Sequence, residues 1–486
     1  MKYILKLHPE ITIKSDSVRR RFTRILESNI RNIFKAYDFK IALWNRWDKL
    51  VLEPKTEAPE DIRRLLDQLK RIPGIEQCLQ VKQSTYTDLH DIYEQVKAVW
   101  GDKLVGKRFA VKVRRRGKHE FSSIDVARYV GGGLNQHCQT AGVDLKHPEV
   151  LIELEVDKDQ LLLINDRFKC LGGMPLPTQE DVVSLISGGF DSGVSSYQMI
   201  RRGARTHYCF FNLGGTEHEI AVKQVACYLW QRYGASHKVK FVSVNFEPVV
   251  AQILEKVDNG LMGVVLKRLM LQAATIVADN LAVSTLVTGE AMGQVSSQTL
   301  SNLAVIDRAT DKLVLRPLIC MDKSEIISLA REIGTEDLSK SIPEYCGVIS
   351  NKPTVKADLA LVEAQQALIE PGLIEAVVRA SNVLDMRRIA KDAQEEVREV
   401  ETCESLPVEA VIIDIRSPEE EERAPLEASG KEVIHLPFYR LSTRFGDLDQ
   451  QRQYYLYCDR GVMSRMQALL LHEQGFSSVK VYRPKQ

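Results

Sequence analysis

The chain has 486 residues, more than one hydrophobic core supports, and its 44% hydrophobic and 27% charged residues are those of an ordinary globular protein, so three or four domains are expected. Lys and Arg number 66 against 65 Asp and Glu, so any basic binding surface has to be local. The N-terminal MKYILKLHPE lacks the apolar stretch of a secretion signal, no run reaches the roughly 18 apolar residues of a membrane span, and the nine cysteines lie apart without a CxxC pair. These features point away from membranes, zinc cages and disulfide scaffolds, and toward a cytoplasmic protein with reduced thiols.

From the N-terminus, YILKL alternates weakly and SVRRRFTRILESNIRNIFKAY has apolar residues at helical spacing. KIALWN and KLVLEP follow as paired strands, PEDIRRLLDQLKRI as an amphipathic helix and GIEQCLQVKQ as a last strand. This β-α-β-β-α-β order is the ferredoxin-like pattern, in itself a scaffold without chemistry. It is expected over residues 1–62, with an alternative limit near 82, and a second domain over 63–167. There DLHDIYEQVKAVW predicts a helix, and the strand and turn GKRFAVKVRRRGKHEFSS carry Lys107, Arg108, Lys112, Arg114, Arg115, Arg116 and Lys118. Such a local positive field suits a phosphate backbone, although lysines on a strand edge also prevent aggregation. Phe109, His119 and Phe121 interleave the cations. SSIDVARYVGGGLNQH predicts a helix capped by Ser122 or Ser123, and EVLIELEV and QLLLIND a hairpin.

CLGGMPLPTQE is a Gly/Pro-rich joint, after which strands and helices alternate over residues 175–395. DVVSLIS, THYCFFNL, KVKFVSVNF and AVSTLVTG predict a doubly wound parallel sheet. The first strand runs into Ser187-Gly188-Gly189-Phe190-Asp191-Ser192 and then a helix. Glycines let the backbone approach a phosphate, and hydroxyls and helix N-terminal amides bind it. The loop lacks the lysine of the Walker pattern. S-G-G-x-D-S resembles the PP-loop of N-type ATP pyrophosphatases, which cleave ATP between the α and β phosphates to adenylate a substrate. The resemblance implies that Ser187, Gly188, Gly189, Asp191 and Ser192 hold phosphate or its magnesium ion, with Leu185 and Ile186 beside adenine. It also makes Lys267, Gly289 and Gln298, from GVVLKRLMLQ and STLVTGEAMGQVSSQTL, nucleotide contacts. Magnesium would come with ATP rather than from a set of protein ligands alone.

RIAKDAQEEVREVETCESLP predicts a charged, solvated helix and linker. A smaller α/β domain follows over 406–484, with strands in EAVIIDIR, EVIHLP, YYLYC and VKVYR. Cys458 lies between strand and helix, where the helix dipole and loop amides favour a thiolate. Cys458-Asp-Arg460-Gly461-Val-Met-Ser464-Arg465 resembles the persulfide-carrying loop of rhodanese domains, and Asp414-x-Arg416 their Asp-x-Arg strand end. The usual GHIPGA segment is only faintly present, in EVIHLPF. Cys346, in SKSIPEYCGVISNKPT, has no local mark of reactivity.

Taken together, the four modules are similar to the tRNA 4-thiouridine synthase (tRNA sulfurtransferase) family, which also serves thiamine biosynthesis, with SGGFDS, PEYCGV and YCDRGVMSR as the specific parts. The resemblance implies a ferredoxin-like domain, an RNA-binding THUMP domain containing the basic strand, a PP-loop domain and a rhodanese domain. It further implies tRNA as substrate, ATP and magnesium, a cysteine desulfurase as sulfur donor, transfer to uridine 8, and a disulfide between Cys346 and Cys458 reopened by a cellular reductant. A thiamine sulfur-carrier protein would be a second acceptor. An amidating PP-loop synthetase has no use for the thiol loop, an iron–sulfur thiolase needs clustered cysteines, and a decayed RNA binder would not keep both loops intact.

Overall fold

The computed structural model describes all residues except 1, 47–48, 214, 341, 343–351, 396–401, 408, 417–420, 423–424, 427–429, 439–440, 442–443, 459–463, 465–466, 469–470, 473 and 485–486. The chain divides into two compact units, residues 1–178 and 179–486. Among the described residues no helix is long and apolar enough to cross a membrane.

The first unit is built on β1 (Lys2–Leu7), β2 (Ile41–Arg46), β3 (Lys49–Pro54), β4 (Ile75–Thr85), β5 (Arg108–Arg116), β6 (Gly142–Val143), β7 (Val150–Asp157) and β8 (Gln160–Lys169). They form one sheet in the order β2-β3-β1-β4-β8-β7-β5-β6. β5 runs parallel to β6 and β7, and the other pairs are antiparallel. The ferredoxin-like order is present, with the helices Asp16–Ala36 and Pro59–Leu69 between its strands. β4 then continues the sheet by pairing with β8 from Gln77↔Lys169 to Thr85↔Gln160, which joins the two N-terminal modules edge to edge.

Alternation gives this sheet two different faces. Tyr3, Leu5 and Leu7 are buried with Phe22, Leu26 and Ile30 of the first helix. Ile4 turns the other way with Leu79 and Val81. The helices Leu89–Trp100 and Ser123–His137 cover the far half, placing Ile92, Val96, Val130 and Leu134 on Phe109 and Ile152. Each such side chain contributes about 1.5–3 kcal/mol on full burial. Ser122 caps the second of these helices, and Asp125 closes a capping box. The Gly/Pro joint is tied to this unit: Gly74 donates to Gly172, Gly172 to Ile75, and the Asn29 side chain to Leu176.

In the second unit β9 (Val182–Leu185), β10 (Thr206–Asn212), β11 (Lys240–Asn245), β12 (Thr285–Val287), β13 (Leu313–Leu315) and β14 (Asn382–Asp385) are ordered β13-β12-β9-β10-β11-β14. All pairs are parallel except β11 with β14. Because β9 has β10 on one side and β12 on the other, the chain order reverses there, and ligands bind at the carboxyl ends of such strands. The helix Met262–Asn280 is buried on most sides, and its Val265, Leu269, Ala273 and Val277 fill the core beneath β9 and β12.

A third sheet has β15 (Thr402–Cys403), β16 (Val411–Asp414), β17 (Glu432–His435), β18 (Tyr454–Tyr457) and β19 (Val479–Tyr482) in the parallel order β15-β19-β18-β16-β17. Val411, Ile413, Leu456 and Val481 give it a core of its own. The expected solvated linker before it is partly strand, because Thr402 and Cys403 pair with Val481 and Tyr482.

His207 in β10 is buried, and its Nδ1 accepts the Lys240 N–H at 3.0 Å. Burial lowers its pKa from the usual 6.5, the Asp181 carboxylate opposes that, and Arg205 and Lys240 reinforce it. The unfolded chain therefore takes up a proton that the fold refuses, so this contribution to stability is complete above pH 6.5 and is lost as pH falls below it. The thermal midpoint is expected to drop between pH 7.5 and 5.5, and to drop less in His207→Gln; calorimetry of both proteins at the two pH values checks it.

Candidate functional site

The strand β9 ends at Leu185, Ile186 donates to the Cys209 carbonyl at 2.9 Å, and the loop turns into the helix Phe190–Arg201. Ser192 draws the loop closed, since its hydroxyl donates to the Gly189 carbonyl at 3.0 Å and accepts the Ser187 N–H at 3.1 Å. Gly188 has φ +82°, and a Cβ there would stand 2.5 Å from Ile342 Cδ1 and 3.0 Å from Val222 Cγ2. Only glycine meets both demands.

Asp191, in the first turn of that helix, accepts Lys323 Nζ at 2.8 and 3.0 Å and Gln294 Nε2 at 3.0 Å. Lys323 begins the helix Lys323–Ile333, whose cap is Asp322 with Glu325. A lysine at a helix N-terminus opposes the macrodipole. That misplaced charge was the signal available in DKSE for a residue that sequence reasoning missed. Gln294, in the loop after β12, carried no such mark.

Gly289 follows β12, and a Cβ on it would lie 2.7 Å from both Asp191 C and Ser192 N. Its place in the site is thus a close backbone approach. The next residue, Glu290, is buried and accepts the Thr288 hydroxyl at 2.9 Å and Arg316 Nε at 2.8 Å. Lys267 Nζ lies 3.9 Å from Glu290 and Arg316 also holds Asp307, so Lys267 is steered by a network of acids and bases. Burial works against the Arg316 charge, but Asp307 and Glu290 outweigh it and hold the guanidinium protonated. Arg268 does something else: it is buried and donates to Val305 and Gln366 inside the core. Gln298 is buried in the Gly/Ser/Gln loop, where its carbonyl accepts the Gly293 N–H at 2.9 Å.

The sheet of the C-terminal domain presents Cys458 directly after β18. Its Sγ accepts the Ser464 N–H at 3.3 Å, with the Ser464 hydroxyl also at 3.3 Å. Asp414 and Arg416 are buried and paired, and the Arg416 guanidinium lies 4.9 Å from the Tyr457 ring, one residue before the thiol. The Ile415 N–H to Tyr457 carbonyl bond, 3.0 Å, fixes that strand end. Arg460, Gly461, Arg465 and Cys346 lie outside the described residues. The chain leading to Cys346 begins at Ile342, beside the PP-loop glycine. Burial raises the pKa of Cys78, Cys170 and Cys209, so those thiols stay protonated and unreactive. Cys458 is half-buried.

In the first unit the basic strand divides by alternation. Lys112, Arg114 and Arg116 are exposed on one face, while Arg115 turns away to the Gly117 carbonyl and His119. Those three line a cavity of about 400 Å³ together with Lys6 of β1, Lys49 of β3, Arg19 of the helix Asp16–Ala36 and Arg167 of β8. Glu153 and Glu155 are its acids: Glu153 pairs with Lys112 and Arg167, Glu155 with Arg116. Burial, then Arg167 and Arg114, lower the pKa of Lys6 despite the two glutamates. Seven cations against two carboxylates make a seat for an anion. Arg108 pairs with Asp144 at 3.8 Å, and Lys107 and Lys118 are exposed outside this cavity. The ferredoxin-like half, read from sequence as scaffold, supplies three of the cations, Lys6, Arg19 and Lys49. Among the described residues no group of three or more His, Cys, Asp or Glu is placed to hold a metal ion.

Gly289→Ala is expected to push the PP-loop backbone away and lower ATP-dependent turnover about a hundredfold, the cost of a displacement near 1 Å. Pyrophosphate release measured at saturating ATP, with circular dichroism to verify folding, checks it.

Three family models match in chain order: a ferredoxin-like domain of the ThiI type over residues 3–78, a THUMP domain over 86–166, and "Thiamine biosynthesis protein (ThiI)" over 177–370. The tRNA sulfurtransferase of Shewanella piezotolerans is 58% identical over 484 residues, covering all of both chains, and that of Aeromonas salmonicida is likewise 58% identical over the full length of both. A crystal structure of a 4-thiouridine synthetase–RNA complex with bound ATP superposes with a TM-score of 0.69 at 25% identity, covering 79% of this chain and 99% of that one. A protein from Pyrococcus horikoshii shares the fold, with a TM-score of 0.53 at 17% identity over 69% of this chain and 100% of its own. With full-length relatives at this identity, the chain belongs to the tRNA sulfurtransferase family.

Proposed function

We propose that this enzyme makes 4-thiouridine at position 8 of tRNA by an ATP-driven sulfur relay in the cytoplasm. The observation that carries the reading is a closed PP-loop bearing Asp191 in the same chain as a thiol, Cys458, held by the amide and hydroxyl of Ser464. Full-length similarity to tRNA sulfurtransferases supports it.

In the first step the Cys458 thiolate attacks the outer sulfur of a cysteine desulfurase persulfide, and the desulfurase thiolate leaves. Separately, uridine O4 attacks the α-phosphorus of ATP and pyrophosphate departs. The oxygen becomes part of AMP, a good leaving group. The terminal sulfur of the Cys458 persulfide then attacks C4 and displaces AMP. Cys346 attacks Cys458 Sγ, leaving sulfur on the base and a Cys346–Cys458 disulfide. A cellular reductant supplies the two electrons that reopen it.

The chain's own groups fit these tasks. The glycines of the PP-loop and the N-terminal amides of its helix receive phosphate, with Lys323 and Lys267 as nearby cations. Leu185 and Ile186 would flank adenine, and Gln298 would shape the nucleotide side of its loop. A single carboxylate, Asp191, beside phosphate-binding amides suits magnesium carried by ATP, which supplies charge neutralisation when bound. The same thiol without the PP-loop chemistry would serve the carboxyl end of a thiamine sulfur-carrier protein.

Unmodified tRNA is incubated with the protein, ATP, magnesium, cysteine, a desulfurase and a reductant, and 4-thiouridine is followed by its near-ultraviolet absorbance. Cys458→Ala is expected to abolish the signal. Asp191→Ala is expected to abolish it too while Cys458 still accepts sulfur. An undiminished signal in Cys458→Ala removes that thiol from the relay.

The basic cavity fits the phosphate backbone of tRNA. Arg114→Glu combined with Arg116→Glu is expected to weaken tRNA binding and to flatten its salt dependence, by about 0.9 in the log–log slope for each lost phosphate contact. Filter binding across a salt series measures both.

A further inference from the structure

The helix Gly215–Leu229 touches the nucleotide loop and the thiol domain by different side chains. His218 bonds the Ser187 backbone, and Val222 lies beneath Gly188. These two are four residues apart and share a helix face. Gln224, two residues further and on another face, is 4% exposed, and its Oε1 accepts Gln467 Nε2 at 3.2 Å. Gln467 is also 4% exposed and belongs to the C-terminal domain, three residues after the Ser464 that bonds Cys458. One helix of the nucleotide domain thus supports the PP-loop on one face and grips the thiol-bearing segment on another.

Two carboxamides taken out of water at a domain boundary lose hydration that only a direct bond replaces, so a contact of this kind selects one relative placement. Gln224 Nε2 and Gln467 Oε1 have no hydrogen-bond partner among the described residues. The contact is therefore weaker than a fully paired amide couple. That suits a domain which must also turn its thiol to a separate donor protein.

We propose that Gln224 and Gln467 are positioning residues that form a releasable latch, seating the sulfur-carrying domain on the nucleotide domain for delivery. The inference rests on the reading that Cys458 carries sulfur to a base activated at the PP-loop. Three reactions are to be compared in full-length wild type, Q224E/Q467E and Q224E/Q467K: persulfide loading of Cys458 by the desulfurase, tRNA-dependent release of pyrophosphate in a single turnover, and 4-thiouridine formation. In Q224E/Q467E, like charges face each other, and 4-thiouridine formation is expected to fall about tenfold or more while loading and the first-turnover release of pyrophosphate stay at wild-type rates. In Q224E/Q467K, opposite charges are expected to restore thiolation to within about threefold of wild type. Wild-type thiolation in Q224E/Q467E overturns the latch, as does an equal loss in both double variants or a loss of loading or of first-turnover pyrophosphate release. Cys458→Ala, run alongside, separates the two ideas: if it thiolates tRNA normally, the underlying relay fails whatever the latch variants do.

Discussion

Gly289 brings the end of one strand against the backbone of the nucleotide loop, with no room for even one carbon between them. β12 and β9 are hydrogen-bonded neighbours, so the loops that follow them emerge side by side. Any side chain at 289 would push those loops apart, and with them Asp191 from the Lys323 and Gln294 groups that hold its carboxylate. Glu290, the very next residue, anchors the opposite wall through Arg316 and steers Lys267. Two consecutive residues thereby set the loop's position and the charge around it.

The basic cavity of the first unit depends on a second constraint of the same kind. β4 has a free edge after pairing with β1, and β8 takes it along nine registered pairs. Without that ladder the cations of β5 and β8 would be parted from Lys6 and Lys49, which belong to the ferredoxin-like strands. With it, alternation along adjoining strands gathers charge from distant positions onto one face, while Glu153 and Glu155 limit the repulsion. The cost of crowding is visible in Lys6, whose charge burial and its arginine neighbours disfavour.

The thiols illustrate how environment sorts chemically identical groups. Cys78, Cys170 and Cys209 are sealed in cores where a thiolate would be unsolvated. Cys458 instead ends a strand at a loop, with an amide and a hydroxyl directed at its sulfur and a buried Asp414–Arg416 pair bracing the neighbouring strand end. Burial makes the first group packing material, whereas the last one is half-buried with hydrogen-bonding groups at its sulfur.

Local signals were sufficient wherever chemistry and backbone conformation are written in neighbouring residues. S-G-G-x-D-S after an apolar strand marked the strand-to-helix turn at Gly188, YYLYC the strand that ends before Cys458, and apolar patterning most strands of the three sheets, because turns, caps and periodicity are short-range properties. A serine cap at 122 or 123 was legible for the same reason, and the structure selects Ser122. What the sequence did not contain was partnership across distance. Lys323 meets Asp191 from 132 positions away, Gln467 meets Gln224 from 243, and Lys6 joins Arg114 only because β4 accepts β8. The two-residue β15 was missed because such a strand has no periodicity and exists only through its ladder with β19. Sequence alone therefore determined the kinds of loop and the order of the modules. Tertiary structure decided which charges face one another, since that depends on sheet order and on the space left at single glycines, neither of which is a local property of the chain.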